Sequence, residues 1–209
     1  MKSIQKIIFE AERLLQAHPY DIAHDLSHHK RVHETALQIA EEEGLLLNSD
    51  ALKVACFWHD VVLGTKDEEE NRQIHINETI KFLEELMTKE ELGVNFQKTV
   101  IDAIRDHGFE KKKQLNSEGC VLFDADKLDA LHPKRYRKIL QAVKNKNLSK
   151  IKIFMYKQAA KLWLGTMRNR YHYETSKRIH DSRIKKLLED KETIQVGKSI
   201  GIDIPSLIK

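Results

Sequence analysis

The sequence predicts an all-α protein, a bundle of about eight to ten helices. Apolar residues recur with helical spacing along most of the 209-residue chain. No stretch shows the convincing apolar–polar alternation that is typical of a half-buried strand. Only three prolines and eight glycines interrupt the pattern, so long helices can form.

The individual helices follow from this periodicity and from the residues that start and stop it. Ser27 stands where it can cap the second helix. Gly44, Gly64 and Gly108 stand where the second, third and fifth helices should end. We expect helices near 2–17, 27–43, 50–63, 72–88 and 95–107, a sixth from about residue 120, and later helices near 133–145, 149–172 and 175–190.

The composition is that of a soluble globular protein, with 41% hydrophobic and 33% charged residues. We expect one domain over residues 1–190 and a C-terminal tail, 191–209, that packs on the domain or extends from it. Cys56 and Cys120 lie in apolar stretches, which is typical of buried thiols in a reducing compartment. The sequence shows neither a secretory leader nor a bilayer-spanning run, so a cytoplasmic protein without a membrane partner is expected.

The charge is unevenly distributed along the chain. Residues 1–131 hold 16 lysines and arginines against 26 aspartates and glutamates, and residues 132–209 hold 20 against 6. In structural terms, this asymmetry indicates a basic C-terminal layer with solvated outer faces. In functional terms, it indicates either a rim that attracts phosphate groups near a metal site or a nucleic-acid surface.

Ligand-type side chains fall on the predicted inward face of four helices. His28, His59 and His107 share helix faces with apolar residues, Asp126 occupies an expected core position, and Asp60 follows His59 directly. A single inward histidine is usually a hydrogen-bonded core residue, but four convergent positions favour a site. A divalent metal would offset the cost of burying the carboxylates. Mixed imidazole and carboxylate ligands suit Mn, Fe, Co, Ni or Zn, and they fit Mg less well.

The dipeptide His-Asp occurs three times, and we expect only the copy at 59–60 to be functional. In the copy at 24–25, Asp25 is placed to cap or hydrogen-bond the start of the second helix. In the copy at 180–181, Asp181 can pair with Lys185 one helical turn later. Both of these copies are therefore interpreted as structural.

Two more polar pairs accompany these residues. His29 and His33 are spaced i, i+4 and could grip a metal, but an exposed or half-exposed surface pair is the expected arrangement. Asp124 and Asp129 flank Asp126, and either of them can orient a ligand from behind.

The ordered motifs resemble those of the HD superfamily of metal-dependent phosphohydrolases, in particular its small single-domain bacterial members. The stretches that carry the resemblance are "HDLSHHKRVHETALQIA", "ACFWHDVV", "AIRDHGF" and "VLFDADKLDA". The resemblance covers roughly residues 20–131, with a looser helical match over 150–190. Two stretches depart from the family pattern: "LHPKRYRKIL" replaces a glycine-containing segment, and "TKDEEEN" supplies no ligand.

The resemblance implies an HD-type helical bundle with a metal held by His28, His59, Asp60 and Asp126. It places His107 at the edge of the site, where this side chain would contact the substrate phosphate or orient the attacking water. His107 and Asp60 are then the expected catalytic residues. Hydrolysis of a phosphate ester or anhydride is the implied reaction.

Cationic side chains near the implied ligands are the expected phosphate contacts. Lys127 follows Asp126 directly, and Arg31 lies one turn beyond His28. Together with His107, these two residues are expected to bind the substrate. Arg168 and Arg183, in the basic C-terminal helices, are weaker candidates.

By analogy with the small family members, a small phosphorylated substrate, most plausibly a nucleotide, is the leading expectation. One alternative is a nucleic-acid-binding protein or nuclease, in which Tyr136, Tyr156, Tyr171 and Tyr173 stack bases among the C-terminal basic residues. Another is a metal-occupied helical regulator without activity. Salt-dependent binding of RNA or DNA would favour the former.

Overall fold

The structure is a computed structural model that describes residues 2–17, 24–61, 72–108, 116–145 and 150–207. Within these ranges it contains eleven α-helices, one 3-10 helix and no β-strand, which confirms the all-α prediction. None of the described helices is both long enough and apolar enough to cross a lipid bilayer. Cys56 and Cys120 are free thiols.

The helices fall into two compact units, Met1–Phe123 and Asp124–Lys209. The first unit contains α1 (Lys2–Ala17), α2 (Leu26–Glu42), α3 (Ser49–Trp58), α4 (Arg72–Lys89) and α5 (Val94–Asp106). One continuous helix, α6 (Ser117–Asp129), begins in the first unit and ends in the second. The second unit continues with α7 (Pro133–Asn145), α8 (Lys150–Gly165), the 3-10 helix Met167–Arg170, α9 (Glu174–Glu189), α10 (Lys191–Ser199) and α11 (Ile204–Leu207). The single domain predicted over residues 1–190 stays a prediction.

Helix α3 is the centre of the first unit. It packs against α1, α2 and α5, and its residues from Ala51 to Trp58 are buried apart from the half-buried Lys53. Trp58 is fully buried, and its Nε1 donates a hydrogen bond to the carbonyl oxygen of Ile7 at 3.1 Å. A helix buried on all sides has little freedom to shift, so the residues at its end are held in a defined position.

Helix α2 is capped by Asp25 and not by Ser27. The Asp25 carboxylate accepts a hydrogen bond from the His28 backbone N–H at 3.1 Å, and the Ser27 hydroxyl donates to the same oxygen at 2.6 Å. Asp25 therefore performs the structural role predicted for it, because a carboxylate satisfies a free N–H of the first turn. This cap places His28 in the first turn of α2.

Helix α3 ends at Trp58, so the extension predicted to residue 63 is wrong for the described residues. His59 is the C-terminal cap, and the N–H of Val61 donates to the carbonyl oxygen of Trp58 at 3.2 Å in a closing turn. The remaining predicted positions, 62–64, lie outside the described residues. The early end matters because His59, the cap, keeps a helical backbone conformation, whereas Asp60 lies on the turn that follows.

Helix α6 begins at Ser117, about one turn earlier than the sequence predicts. Asn116 provides the cap, since its Oδ1 accepts a hydrogen bond from the backbone N–H of Gly119 at 2.7 Å. In the first turn the carboxylate of Glu118, which is buried, accepts a hydrogen bond from the backbone N–H of Asn48 at 2.9 Å. This contact joins the start of α6 to the start of α3 within the first unit.

The second unit has its own apolar core. Its buried members come from α7, α8, α9, α11 and the turns that follow α6 and α10: Leu131, Tyr136, Leu140, Ala160, Leu164, Leu187, Ile202 and Ile204. Residues 191–207, predicted as a tail, thus form two helices and supply part of this core. A Cβ on Gly197 would lie 2.7 Å from the carbonyl oxygen of Ile202, so glycine permits the close turn between α10 and α11.

The helix predicted over 149–172 is instead two segments. Helix α8 ends at Gly165, and after Thr166 the chain continues as the 3-10 helix. Glycine at the end of a helix carries the highest conformational cost of the non-proline residues, which favours a break there. Tyr171 then adopts an extended backbone conformation that ends the 3-10 segment.

Ion pairs in the second unit connect residues that are distant in sequence. Arg137 pairs with Asp190 and Glu192. Arg168 pairs with Asp181, with Nε 2.8 Å from Oδ1. The predicted pair between Asp181 and Lys185 is therefore replaced by a contact that helical spacing does not foresee.

Candidate metal centre

Two buried histidines face each other at the heart of the site. Nε2 of His28, in the first turn of α2, lies 3.2 Å from Nε2 of His59, at the end of α3. The opposite nitrogen of His59, Nδ1, lies 2.9 Å from the carbonyl oxygen of Cys56. A carbonyl can only accept a hydrogen bond, so Nδ1 of His59 carries the proton and Nε2 presents a lone pair. That lone pair is the ordinary metal-binding electron pair of a neutral imidazole.

The Asp60 carboxylate lies against these imidazoles. Its Oδ2 is 3.5 Å from Nε2 of His59 and 4.0 Å from Nε2 of His28, and its Oδ1 is 3.7 Å from Nε2 of His107. Burial by itself would raise the pKa of Asp60, but attraction to His59 and contact with His107 outweigh it and hold the pKa well below its ordinary value. The carboxylate is therefore anionic at neutral pH, as a metal ligand must be.

Asp126 completes a set of four ligand-type residues. One ligand atom from each of His28, His59, Asp60 and Asp126 lies within 4.8 Å of the others, and all four side chains are buried. Two imidazole lone pairs and two carboxylates in such a small volume suit a divalent cation, which would offset both the negative charge and the facing lone pairs. The donor set therefore fits a metal ion.

The predicted phosphate contacts have defined partners. The ammonium group of Lys127 lies 2.5 Å from Oδ2 of Asp126, and the Lys127 side chain is 10% exposed. Arg31 is half-buried, and its guanidinium donates a hydrogen bond to the Ser27 hydroxyl at 2.9 Å. Lys127 thus contacts a ligand-type carboxylate directly, whereas Arg31 is bound to the capping network of α2.

His29 is buried, so the prediction of an exposed or half-exposed surface pair with His33 is wrong for His29. Its Nδ1 lies 3.0 Å from the same Cys56 carbonyl oxygen that holds His59, and its ring centroid is 4.7 Å from that of His59. Burial, together with repulsion from His59 and His28, lowers the pKa of His29 well below its ordinary value. His29 is therefore a neutral ring that supports the ligands from behind.

His24 belongs to the surroundings of Asp60, although the sequence favours a structural interpretation of its doublet. Nε2 of His24 lies 3.8 Å from Oδ2 of Asp60, and its ring meets that of His28 edge-on with centroids 5.4 Å apart. Helical periodicity does not find this residue because it precedes the first turn of α2. The signal in the sequence is its position one residue before the helix cap.

The two aspartates that flank Asp126 serve the second unit. Asp124 is fully buried and accepts hydrogen bonds from the backbone N–H groups of His172 and Tyr173, at 3.0 and 3.2 Å. Asp129 is also fully buried and pairs with Arg135. Asp124 therefore anchors the entry to α9, and Asp129 anchors α7.

The remaining predicted residues do not extend the site. His180 is buried next to Tyr171, with 3.4 Å between Nδ1 and the hydroxyl, as a structural residue would be. The weak candidate Arg168 is engaged by Asp181. The acidic residues 68–70, from which no ligand is expected, lie outside the described residues.

A family comparison agrees with this geometry. The model of the HD domain family matches residues 25–131, just over half of the chain. The chain belongs to the HD domain family. The matched range contains the four ligand-type residues together with His107, Arg31 and Lys127.

Three solved structures share the fold. A predicted HD superfamily hydrolase from an uncultured Thermotogales bacterium is 24% identical with a TM-score of 0.55, over 90% of this chain and 87% of that one. A Listeria innocua protein is 21% identical with a TM-score of 0.60, over 92% and 95% of the two chains. A Lactobacillus plantarum protein is 17% identical with a TM-score of 0.67, over 95% and 98%.

No curated protein sequence matches the chain at a significant level. Membership of the HD family and the buried His/Asp cluster together support a metal-dependent hydrolase.

Proposed function

We propose that this HD-family chain is a metal-dependent phosphohydrolase that cleaves a phosphate ester or anhydride, with a nucleotide as its substrate. His28, His59, Asp60 and Asp126 hold the metal. The observation that carries the proposal is the convergence of their ligand atoms within 4.8 Å in a buried cluster. Imidazole nitrogen is the softer half of this donor set, which favours Mn, Fe, Co, Ni or Zn over Mg.

The chemistry divides between the bound ion and the side chains around it. A divalent ion lowers the pKa of a bound water toward about 7 and polarises a phosphoryl oxygen. The Cys56 carbonyl keeps the proton of His59 on Nδ1, so that the lone pair of Nε2 stays available to bind a metal ion. The anionic Asp60 carboxylate can accept a hydrogen bond from the attacking water and so orient it.

His107 lies next to Oδ1 of Asp60, the oxygen that the ligand-type histidines do not face. Its Nδ1 is directed at the carbonyl oxygen of Ile104, which leaves Nε2 to face Oδ1 of Asp60 at 3.7 Å. At 7% exposure this ring is close to solvent but largely shielded from it. His107 therefore contacts the substrate phosphate or orients the attacking water, the two roles expected of it.

Lys127 and Arg31 supply positive charge for the phosphate. The ammonium group of Lys127 already contacts a carboxylate of the ligand set, so it is placed to contact an oxygen bound next to that carboxylate. Arg31 carries a delocalised charge that pairs well with phosphate oxygens. The excess of basic residues after position 131 adds a long-range attraction for polyanions, which supports a nucleotide.

The nucleic-acid and regulator alternatives stay predictions with less support. In the second unit, Arg135, Arg137 and Arg168 are engaged in ion pairs with carboxylates, which reduces the charge available to a nucleic-acid backbone. Of the tyrosines expected to stack bases, Tyr136 and Tyr171 are buried, and the side chain at position 156 lies outside the described residues. A metal-occupied regulator without activity would share the ligand set and differ only in turnover.

The proposal is tested by a hydrolysis screen of metals against substrates. The protein is loaded with Mn²⁺, Mg²⁺, Co²⁺, Ni²⁺ or Zn²⁺ and offered nucleoside mono- and triphosphates, cyclic dinucleotides and general phosphoesters. We expect phosphate release from nucleotides with Mn²⁺ or another transition metal, and its loss in His28→Gln. His33→Gln, on the same helix with its ring against Phe57, is the matched control and should retain activity.

Three results would contradict the proposal in whole or in part. Metal-loaded wild-type protein that hydrolyses none of these substrates would favour the regulator. Hydrolysis that survives His28→Gln unchanged would mean that the reaction occurs elsewhere. Turnover of general phosphoesters without turnover of nucleotides would refute the nucleotide assignment alone.

A further inference from the structure

His24 lies at the edge of the metal centre, where a side chain can reach both the buried ligands and solvent. It stands in the turn before α2 and is held there by the capping of the following residue, Asp25. Its side chain is 20% exposed, against 9% for Asp60, so the ring spans from the buried carboxylate toward solvent.

Nε2 of His24 lies near Oδ2 of Asp60 without a direct hydrogen bond between these two atoms. At 3.8 Å, Nε2 of His24 and Oδ2 of Asp60 are too far apart for a direct hydrogen bond. A substrate group bound at the metal centre beside Asp60 would lie within reach of Nε2 of His24. The other oxygen of Asp60, Oδ1, lies 3.7 Å from Nε2 of His107. Oδ1 is thus faced by His107, whereas Oδ2 is faced by His24 as well as by the ligand-type residues His28 and His59.

A tetrahedral group with several oxygens suits this arrangement. A protonated imidazole nitrogen donates a hydrogen bond to a phosphoryl oxygen, and Nε2 of His24 can reach one oxygen of a phosphate bound at the metal centre. A third imidazole, His28, packs edge-on against the His24 ring and limits its rotation. A ring held in this way loses little entropy when it binds.

We propose that His24 is a substrate-contacting residue, and that its Nε2 donates a hydrogen bond to a phosphoryl oxygen on the side of Asp60 opposite His107. This inference rests on the proposed phosphohydrolase function and deepens it. It gives the doublet at 24–25 two separate roles, in which Asp25 caps α2 and His24 binds phosphate. The competing hypothesis is that His24 only supports the metal ligands.

The test measures phosphate binding and metal binding separately in the full-length protein. Orthophosphate is titrated calorimetrically into Mn²⁺-loaded wild type, His24→Leu, His24→Gln and the control His33→Leu, and Mn²⁺ is titrated into the metal-free forms. His24→Leu should raise the Kd for orthophosphate about tenfold, the effect of losing one hydrogen bond to a charged group. His24→Gln should restore most of the affinity, because its amide N–H lies near the position of Nε2. His33→Leu should stay within about twofold of wild type by the same scale.

The metal titration distinguishes a His24 that contacts the substrate from a His24 that only supports the metal ligands. We expect the Kd for Mn²⁺ to stay within about twofold in all four proteins, and kcat/KM of His24→Leu to fall about as much as its phosphate affinity. An unchanged orthophosphate Kd in His24→Leu would overturn the proposal. So would a loss of Mn²⁺ affinity that accounts for the loss of phosphate binding. If wild type hydrolyses no phosphate compound but still binds orthophosphate through His24, the proposed function fails and the contact stands.

Discussion

Replacing Asp60 by asparagine removes a negative charge from the proposed metal centre while keeping the shape of the side chain. Asp60 is 9% exposed, and its oxygens lie 3.5 to 4.0 Å from the Nε2 atoms of four histidines, His24, His28, His59 and His107. The asparagine side chain, which has nearly the same size, can still occupy this space. The substitution should therefore leave the fold in place and reduce metal affinity.

The expected magnitude follows from binding linkage. A metal at 100 times its Kd stabilises the folded protein by about 2.7 kcal/mol. Substitution of a residue that hydrogen-bonds to a metal ligand typically weakens metal binding about 10- to 100-fold. The loss of an anionic ligand itself should therefore weaken metal binding at least about 100-fold. At the same metal concentration the variant would then be stabilised by only about 0.4 kcal/mol.

Urea unfolding with and without Mn²⁺ measures this difference. The control is Asp50→Asn, an exposed aspartate in the first turn of α3, the helix that precedes Asp60, and this variant should keep the full metal-dependent increment. The reasoning is refuted if Asp60→Asn retains an increment near that of wild type. It is also refuted if Mn²⁺ stabilises none of the three proteins, because the site would then not bind the ion.

Three further predictions concern stability. Gly197→Ala should destabilise the protein by about 1–3 kcal/mol in urea unfolding, because the new Cβ would lie 2.7 Å from a backbone oxygen. The control Gly165→Ala should not destabilise the protein, because its Cβ would face open space among the described residues. Thr79→Val should stabilise by about 1 kcal/mol, since the buried Thr79 hydroxyl has no hydrogen-bond partner among the described residues; a loss of stability would contradict this. Asp190→Ala should cost about 2 kcal/mol through loss of the α10 cap and of the pair with Arg137. Burial tends to raise the pKa of Asp190, but hydrogen bonds from Arg137 and Thr193 lower this pKa overall. The stabilisation of the folded protein by the Asp190 carboxylate is therefore present above about pH 4 and is lost as the pH falls further. A pH profile of unfolding free energy for Asp190→Ala that parallels wild type below about pH 4 would contradict this.

Periodicity predicts most helices because their apolar faces are continuous. The first helix, 2–17, and the seventh, 133–145, have the predicted bounds. Periodicity fails at the end of α3, where buried residues continue through Val61 but the helix ends at Trp58. Hydrophobicity reports burial, and a buried turn has the same composition as a buried helix.

The sequence places His28, His59 and Asp126 on inward faces because helical spacing is a local property. It misses the burial of His29, one residue from His28, because a helix buried over a wide arc also covers the adjacent position. It misses the position of His24 because a residue in a turn has no periodicity to follow. These surroundings of the ligands depend on contacts between helices, which local spacing does not encode.

The measurement that tests the central claim most directly is the metal content of the folded protein. Wild type and the double variant His28→Gln, His59→Gln are equilibrated with Mn²⁺, freed of unbound metal, checked for helical content by circular dichroism and analysed for bound metal. We expect at least one tightly bound ion per wild-type chain and its loss from an equally helical variant. Equal metal content in the two proteins, or none in either, would contradict it.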